Sequence, residues 1–338
     1  MSEPDLDLAP VAENGIDGVP VIDIGDLRDG RRDPSLASIQ SIADACSEWG
    51  FFQVVNHGIE QDVIDAMWTQ TRAFFAWSQD DKEALMRTRD NPWGYYNNEL
   101  TKNQRDKKEV FDFTSDGQDP VYEAENRWPE GRDDFRTAMR DYRDACAELS
   151  LTLLEAMCSG LDLSATFLNE HFTPSHTGFI RLNYYPVRDP MAGRADIEHI
   201  EVADLGVHHH TDAGALTVLL QDDVGGLQVF KDGSWYDVEP TPGAFVINTG
   251  DMMQVWSNDR YRAAIHRVLA MDETDRYSIP FFYNPDAGTE VRPLPSVVTD
   301  DAPALYRAVN WSDFRYKRTD GDYADYGTEV QISQYRND

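Results

Sequence analysis

Positive charge is scarce in this sequence. Thirty lysines and arginines face sixty-one aspartates and glutamates, a net charge of −31, and only six of the cations are lysine. A surface this acidic repels nucleic acid and anionic membrane, so neither is an expected partner. It suits a high-salt cytoplasm and, equally, a soluble bacterial protein from a GC-rich genome. Cysteine is scarce too. Cys46, Cys146 and Cys158 are odd in number and lack paired metal-type spacing. That argues against a disulfide framework or a cysteine zinc site and points to a reducing, cytoplasmic setting. No stretch approaches the roughly 18 consecutive apolar residues of a membrane span. The first fifteen residues are acidic and polar, and read as a flexible tail rather than a secretory signal. No repeat or low-complexity linker divides the chain.

What is present is ample core material, 41% hydrophobic and 11% aromatic, and a change of pattern near residue 175. Before it, helices dominate. Asp33-Pro34 opens one, with Leu36, Ile39, Ala43 and Cys46 on one face and Gly50 at its stop. Phe51–Val55 reads as a buried strand. A second helix carries Ile64, Met67, Trp68, Thr71 and Phe75. A third, near 132–159, carries a core-facing stripe of Phe135, Met139, Tyr142, Cys146, Leu149, Leu153 and Met157. Val19–Ile24 is a further short strand. After residue 175 the runs are extended: Phe179–Tyr184, Leu216–Leu220, Leu227–Phe230, Trp235–Val238, Ala244–Asn248, Val268–Met271 and Tyr277–Phe282. Asp232-Gly233 marks a hairpin turn between two of them. Many short strands at close spacing predict a β-sandwich or barrel, with a ligand in its mouth.

The chemistry-bearing residues fall in this second half. His210 and Asp212 lie two apart, and on a strand such residues share a face. His266 follows 54 residues later, far enough for the chain to return to the same mouth. Two histidines and one carboxylate form the facial triad of non-haem Fe(II) oxygenases, which leaves positions open for other ligands. Arg276 and Ser278 are likewise two apart, between apolar flanks. A planar guanidinium in that setting calls for a carboxylate. Asn183 and Tyr185 share a face by the same rule and can both donate to a carboxylate.

Several runs together resemble one family. GVHHHTDAGALTVLLQDDVGGLQVF from Gly206, PGAFVINTGDMMQVWSN, YRAAIHRV and RYSIPFF are similar to the isopenicillin N synthase-like branch of the 2-oxoglutarate/Fe(II)-dependent oxygenases. VPVIDIGDL, EWGFFQVVNHGI, FFAWSQDDKEAL and KKEVFDF follow that branch's N-terminal region in the same order. The resemblance covers roughly residues 19–285. It implies mixed α and β structure: a distorted double-stranded β-helix, or jelly-roll, with flanking helices. Residues 1–18 would be the acidic tail, 19–174 a helical region, 175–290 the core and 291–338 a C-terminal extension, all in one globular unit. His210, Asp212 and His266 would bind Fe(II). Arg276 and Ser278 would bind 2-oxoglutarate, joined by Asn183 and Tyr185. O₂ would be the second co-substrate, and a small organic molecule would be oxidised at a C–H bond with release of succinate and CO₂. Two alternatives stay open: an Fe(II) oxidase of this fold that does not use 2-oxoglutarate, and a non-catalytic metal-binding jelly-roll.

The remaining candidates read more plainly. His208 shares a strand face with His210 and reads as a polar residue at the cavity rim. His57 is a structural histidine at a strand end, and His171, His176 and His199 sit in polar, turn-like stretches where surface roles are the default. Asp222-Asp223 belongs to a turn and Trp235 to packing. Trp93, Tyr95, Phe111, Phe281 and Tyr283 form a candidate aromatic wall for the substrate. Segment 300–338 has helical character near Pro303–Val309 and either covers the mouth or lies on the surface. The sequence leaves oligomeric state open.

Overall fold

The computed structural model describes residues 6, 9–12, 18–28, 33, 36–101, 104–189, 191–192, 205–320 and 330–337. Pro34 and His199 lie outside them. Two sheets form the centre. The larger runs in the order β1 (Val21–Asp23), β2 (Phe51–Val55), β12 (Phe245–Thr249), β9 (Leu216–Gln221), β14 (Arg276–Tyr283), β7 (Phe179–Tyr185), β6 (Glu109–Thr114) and β3 (Gly94–Tyr96). Only β1 and β2 pair in parallel. The smaller runs β11 (Ser234–Asp237), β10 (Leu227–Lys231), β13 (His266–Leu269) and β8 (Leu205–His210). Two ribbons lie outside these sheets, β4 (Leu100–Thr101) with β5 (Gln104–Arg105), and β15 (Glu290–Val291) with β16 (Val309–Asn310). The α-helices are α1 (Ala37–Glu48), α2 (Gln61–Phe75), α3 (Gln79–Glu83), α4 (Asp133–Gly160), α5 (Asp251–Trp256) and α6 (Trp311–Asp320). This is a jelly-roll core with flanking helices.

Strand alternation divides the interior in two. One row of large-sheet side chains, including Phe52, Val54, Ile180, Leu182 and Phe281, joins the core built with α1, α2 and α4. All seven residues of the α4 stripe are buried there. The alternate row points the other way. Phe51, Leu219 and Val246 meet Leu227, Val229 and Val268 of the small sheet. Asn183, Tyr185, Arg276 and Ser278 belong to this second row. Asp232 and Gly233, with φ of 48° and 88°, make the tight turn that the β10–β11 hairpin requires.

The structure departs from the sequence reading in four places. α1 begins at Ala37, with Leu36 extended before it. β3, β6, β8 and α5 are not among the elements read from periodicity, because all are short or carry charged residues. Residues 303–309 are not helical: Asn258 donates to Pro303 O and accepts from Leu305 N, holding this stretch open until α6 begins at Trp311. Finally, part of the N-terminal tail is fastened down. Trp235 Nε1 donates to Leu6 O, Trp235 N to Pro10 O, and Ala12 N to Trp235 O. Among the described residues no helix is long and apolar enough to cross a membrane.

Leu153 is fully buried in the α4 stripe. Leu153→Ala is expected to lower the unfolding free energy by about 2–5 kcal/mol, seen as a lower urea midpoint at unchanged slope. A loss under about 0.5 kcal/mol, the surface range, would refute its core role.

Candidate active site

β8 and β13 are antiparallel neighbours, with His266 opposite His210. Their ring centres are 4.3 Å apart. Asp212 Oδ1 lies 3.7 Å from Nε2 of each. One ligand atom from each of the three falls within 4.8 Å of the others, and no other such group occurs among the described residues. The His210 and His266 Nδ1 atoms sit 2.8 and 3.0 Å from the carbonyls of His208 and Ala264. With Nδ1–H donating to those carbonyls, each Nε2 lone pair faces Asp212 Oδ1. His210 keeps 31% of its side-chain surface open to a cavity yet lies deep in the protein. Burial and the neighbouring His266 push its pKa down to about 3, against the opposing pull of Asp212. The ring is therefore neutral at physiological pH, the form that binds a metal.

Asp212 is not on the strand, which ends at His210. Its position comes from a loop fastened to the start of α5. Asp251 N donates to Asp212 O, Gly250 N to Ala215 O and Met252 N to Gly214 O, all within 2.9 Å. A Cβ on Gly250 would lie 2.4 Å from Gly214 O and 2.8 Å from Asp212 O, so this approach needs glycine. The carboxylate itself is divided. Oδ2 accepts from Thr217 Oγ1 at 2.5 Å and from Asn248 Nδ2 at 2.7 Å. Burial would raise the pKa of Asp212, but the two histidines and these two donors outweigh it, and the net direction is down. Thr217 and Asn248 are cross-strand partners on β9 and β12. Sequence reasoning missed both. The signal was available, since Thr217 and Asn248 are polar residues inside apolar strand runs.

A smaller cavity of about 90 Å³ opens beside the triad. Arg276, Ser278, Asn183 and Tyr185 all line it, with His210, Asp212 and His266. They converge because Arg276 faces Tyr185, and Ser278 faces Asn183, across β14 and β7. Arg276 is fully buried, 5.1 Å from the Tyr185 ring centre. Its Nε donates to Gly225 O at 2.6 Å and one terminal nitrogen to Gln221 Oε1 at 3.3 Å. The other, Nη1, has no partner among the described residues. A buried guanidinium N–H without an acceptor carries a large desolvation cost, which an incoming carboxylate would relieve.

A larger cavity of about 720 Å³ lies on the other side of His210 and Asp212. Of the five aromatic residues expected to wall the substrate site, it contains only Trp93. Tyr95, Phe111, Phe281 and Tyr283 sit in the helix-side core instead. The reason is strand parity. On β14, Arg276, Ser278, Pro280 and Phe282 point inward while Phe281 and Tyr283 point to the helices. On β7, Phe179 and Arg181 continue the row of Asn183 and Tyr185. Extending the alternation already used for Arg276 would have found Phe282, Phe179 and Arg181. Trp311, Arg315 and Arg318 of α6 complete the wall, so the C-terminal segment does line the site.

His208 is buried beside Asp106, 3.8 Å away, and is not in the triad. His57 accepts from Ile59 N, a local structural bond. His176 is not on the surface: its ring packs on Phe281 and Tyr283, and Nδ1 accepts from Gly178 N. Burial, helped by Arg143, pushes its pKa down to about 4. The pKa of His57 is lowered as well, chiefly by burial. Groups whose folded-state pKa is depressed take up protons more readily when unfolded, so stability rises with pH across their window. The metal-free protein should therefore lose stability as pH falls from about 6.5 towards the value of about 4 for His176. His176→Asn, which keeps an acceptor for Gly178 N, should flatten this slope in urea titrations across that range. An unchanged slope would refute the role of His176.

Residues 176–285 match the family model of the 2OG-Fe(II) oxygenase superfamily, and residues 19–131 match the non-haem dioxygenase N-terminal model named for morphine synthesis. Protein DMR6-LIKE OXYGENASE 2 of Arabidopsis thaliana is 33% identical over 306 residues, covering 88% of this chain and 82% of the relative. The 1-aminocyclopropane-1-carboxylate oxidase 5 of the same plant is 34% identical over 304 residues, covering 88% and 92%. The crystal structure of JOX2 in complex with 2OG, Fe and JA superposes with a TM-score of 0.79 at 28% identity, covering 98% of this chain and 91% of that one. The dioxygenase for auxin oxidation 1 from Arabidopsis thaliana, in binary complex with 2-oxoglutarate, gives 0.65 at 26% identity, covering 84% and 99%. With its fold, its His-Asp-His cluster and these relatives in agreement, the chain belongs to the 2OG-Fe(II) oxygenase superfamily.

Proposed function

We propose that His210, Asp212 and His266 hold Fe(II) in this oxygenase, that Arg276, Ser278, Asn183 and Tyr185 hold 2-oxoglutarate, and that the chain belongs to the isopenicillin N synthase-like branch. The observation that carries the reading is the pairing of two sites on one wall: a three-ligand cluster and, beside it, a buried arginine whose Nη1 lacks an acceptor among the described residues. Fe(II), 2-oxoglutarate and O₂ supply the oxidation of a substrate C–H bond, with release of succinate and CO₂. The chain's own residues bind, orient and exclude water. The carbonyls of His208 and Ala264 set the histidine tautomers. Thr217 and Asn248 occupy Oδ2 and leave Oδ1 of Asp212 for the metal. Arg276 and Ser278 take the far carboxylate of the co-substrate. The larger cavity receives a small organic substrate. The segment 175–290 carries this chemistry, 19–174 contributes strands of the large sheet and its helical cover, and 291–338 contributes Trp311, Arg315, Arg318, Gln331 and Ser333 to the cavity wall. A reducing cytoplasm suits an Fe(II) site and three free cysteines.

Anaerobic addition of Fe(II) and 2-oxoglutarate should produce a visible charge-transfer band, absent in His210→Ala. No band in the wild type would sink the assignment. Asn248→Leu should weaken Fe(II) binding by about 10–100-fold in an anaerobic titration, while Arg276→Gln should leave Fe(II) affinity intact and abolish saturation by 2-oxoglutarate. Similarity to an enzyme named as an oxidase favours one second reading, O₂ reduction without 2-oxoglutarate. Turnover of the true substrate without succinate would select it.

A further inference from the structure

The turn that carries two of the triad residues is held from two sides. His210 ends β8, Asp212 follows in the loop, and Thr211 lies between them outside the cluster. One hold is the start of α5, where Asp251 N donates to Asp212 O. The other is Arg318, in the last turn of α6. Its Nη2 donates to Thr211 O at 2.9 Å and lies 3.4 Å from Thr211 Oγ1. Its Nη1 donates to Val330 O at 2.8 Å and to Gln331 Oε1 at 2.9 Å. One guanidinium thus ties the backbone carbonyl between two triad residues to the C-terminal segment.

Both holds lead into the same assembly. α5 runs on into Asn258 and Asp259, at φ of 53° and 67°, a left-handed conformation that asparagine and aspartate enter more readily than most side chains. Both side chains of this turn are used. Asn258 fastens Pro303 and Leu305. Asp259 accepts from Tyr306 Oη with one carboxylate oxygen and from Arg336 with the other. Gln254 of α5 joins the Tyr306 hydroxyl, at 2.8 Å, to Ala263 N, at 2.7 Å, just upstream of His266. The described residues 330–337 therefore meet the triad turn at one end, through Arg318, and the α5 turn at the other, through Arg336. Thr211, Arg318, Gln331, Arg336 and Asp259 close a circuit that returns through α5 to Asp212.

We propose that Arg318 is a positioning residue of the metal centre: by fastening the Thr211 carbonyl to the docked C-terminal segment, it fixes how the His210 and Asp212 side chains stand to one another. The peptide is planar, and each residue has only two soft dihedrals. A held carbonyl at Thr211 therefore restrains the peptide plane that leads into Asp212. Groups that orient metal ligands without touching the metal commonly change its affinity by about 10–100-fold. Arginine suits this task because its planar fork presents two terminal nitrogens to acceptors on different segments, whereas a lysine offers one point. The charge of Arg318 works the other way, since a cation near a divalent metal repels it. Any support it gives to metal binding comes through geometry. The inference rests on the triad holding Fe(II), as proposed above.

The test is anaerobic calorimetric titration of the full chain with Fe(II), beside urea unfolding of the metal-free protein. Arg318→Met should raise the Fe(II) dissociation constant about tenfold, although loss of a cation would by Coulomb repulsion alone tighten binding. Arg318→Lys keeps the charge and loses the fork, and should stay closer to the methionine variant than to the wild type. Gln331→Leu removes one acceptor and leaves Arg318 in place. It should weaken Fe(II) binding about threefold, and it is the variant to read if Arg318→Met does not fold. Unchanged or tighter Fe(II) binding in Arg318→Met, or full recovery in Arg318→Lys, overturns the inference. So does a lower urea midpoint with Fe(II) affinity unchanged, the result of a purely structural role. A wild type that binds no Fe(II) sinks the metal assignment and this inference with it. Wild-type binding that survives the Arg318→Met and Gln331→Leu substitutions sinks the positioning role alone.

Discussion

The site depends on a divided carboxylate. Asp212 presents Oδ1 to two imidazole nitrogens, while Thr217 and Asn248 hold Oδ2. A carboxylate this buried is costly unless its lone pairs are met. Here the two donors come from the large sheet, whereas the loop carrying Asp212 leaves the small one. The bond pair therefore spans the gap between sheets, and anything that changes their spacing changes the orientation of Oδ1. The same gap holds the apolar contacts of Leu219, Val246, Leu227 and Val268. Packing and the geometry of the His-Asp-His cluster are in this sense one constraint.

Much of this was legible in the sequence, and the reason is periodicity. The α4 stripe repeats at three and four residues and all of it is buried. The period of two brought Arg276 and Ser278 to one wall with Asn183 and Tyr185. The aromatic wall failed where that rule was not applied: Phe281 and Tyr283 qualify only by being aromatic, whereas Phe282 shares the parity of Arg276. Other parts carry no local signal. Asp212 lies past its strand, positioned by hydrogen bonds to α5 that bridge nearly forty residues of sequence. Glu99, Lys108 and Arg181 form one cluster from three separate segments. Nothing in the composition of α6, polar along most of its length, announces that Trp311 and Arg315 face a cavity.

The buried charges also show how an acidic chain keeps cations inside the protein. Removing one partner of a buried pair leaves an uncompensated charge, whereas a complete cluster is close to neutral in stability and can serve to specify geometry. Lys108 belongs to that cluster and lines both cavities. Its ammonium is thus tied by Glu99 and Asp106 at the boundary between the two spaces, and its pKa is raised because those carboxylates outweigh the effect of burial. It is a positive charge at physiological pH.

Segments from near both ends of the sequence reach the same cavity. Leu6, tethered through Trp235, lines it from one side. Gln331 and Ser333 line it from the other, with Arg318 joining Gln331 to Thr211, the residue between two of the triad side chains. The barrel is held by sheet register and by close backbone contacts such as that at Gly250. The described terminal segments are held by single bridges instead, Val11 to Trp235 and Tyr306 to Arg336. The shape of the cavity therefore depends on side chains that stand far apart in sequence and outside the two sheets, at Leu6, Arg318, Gln331 and Ser333.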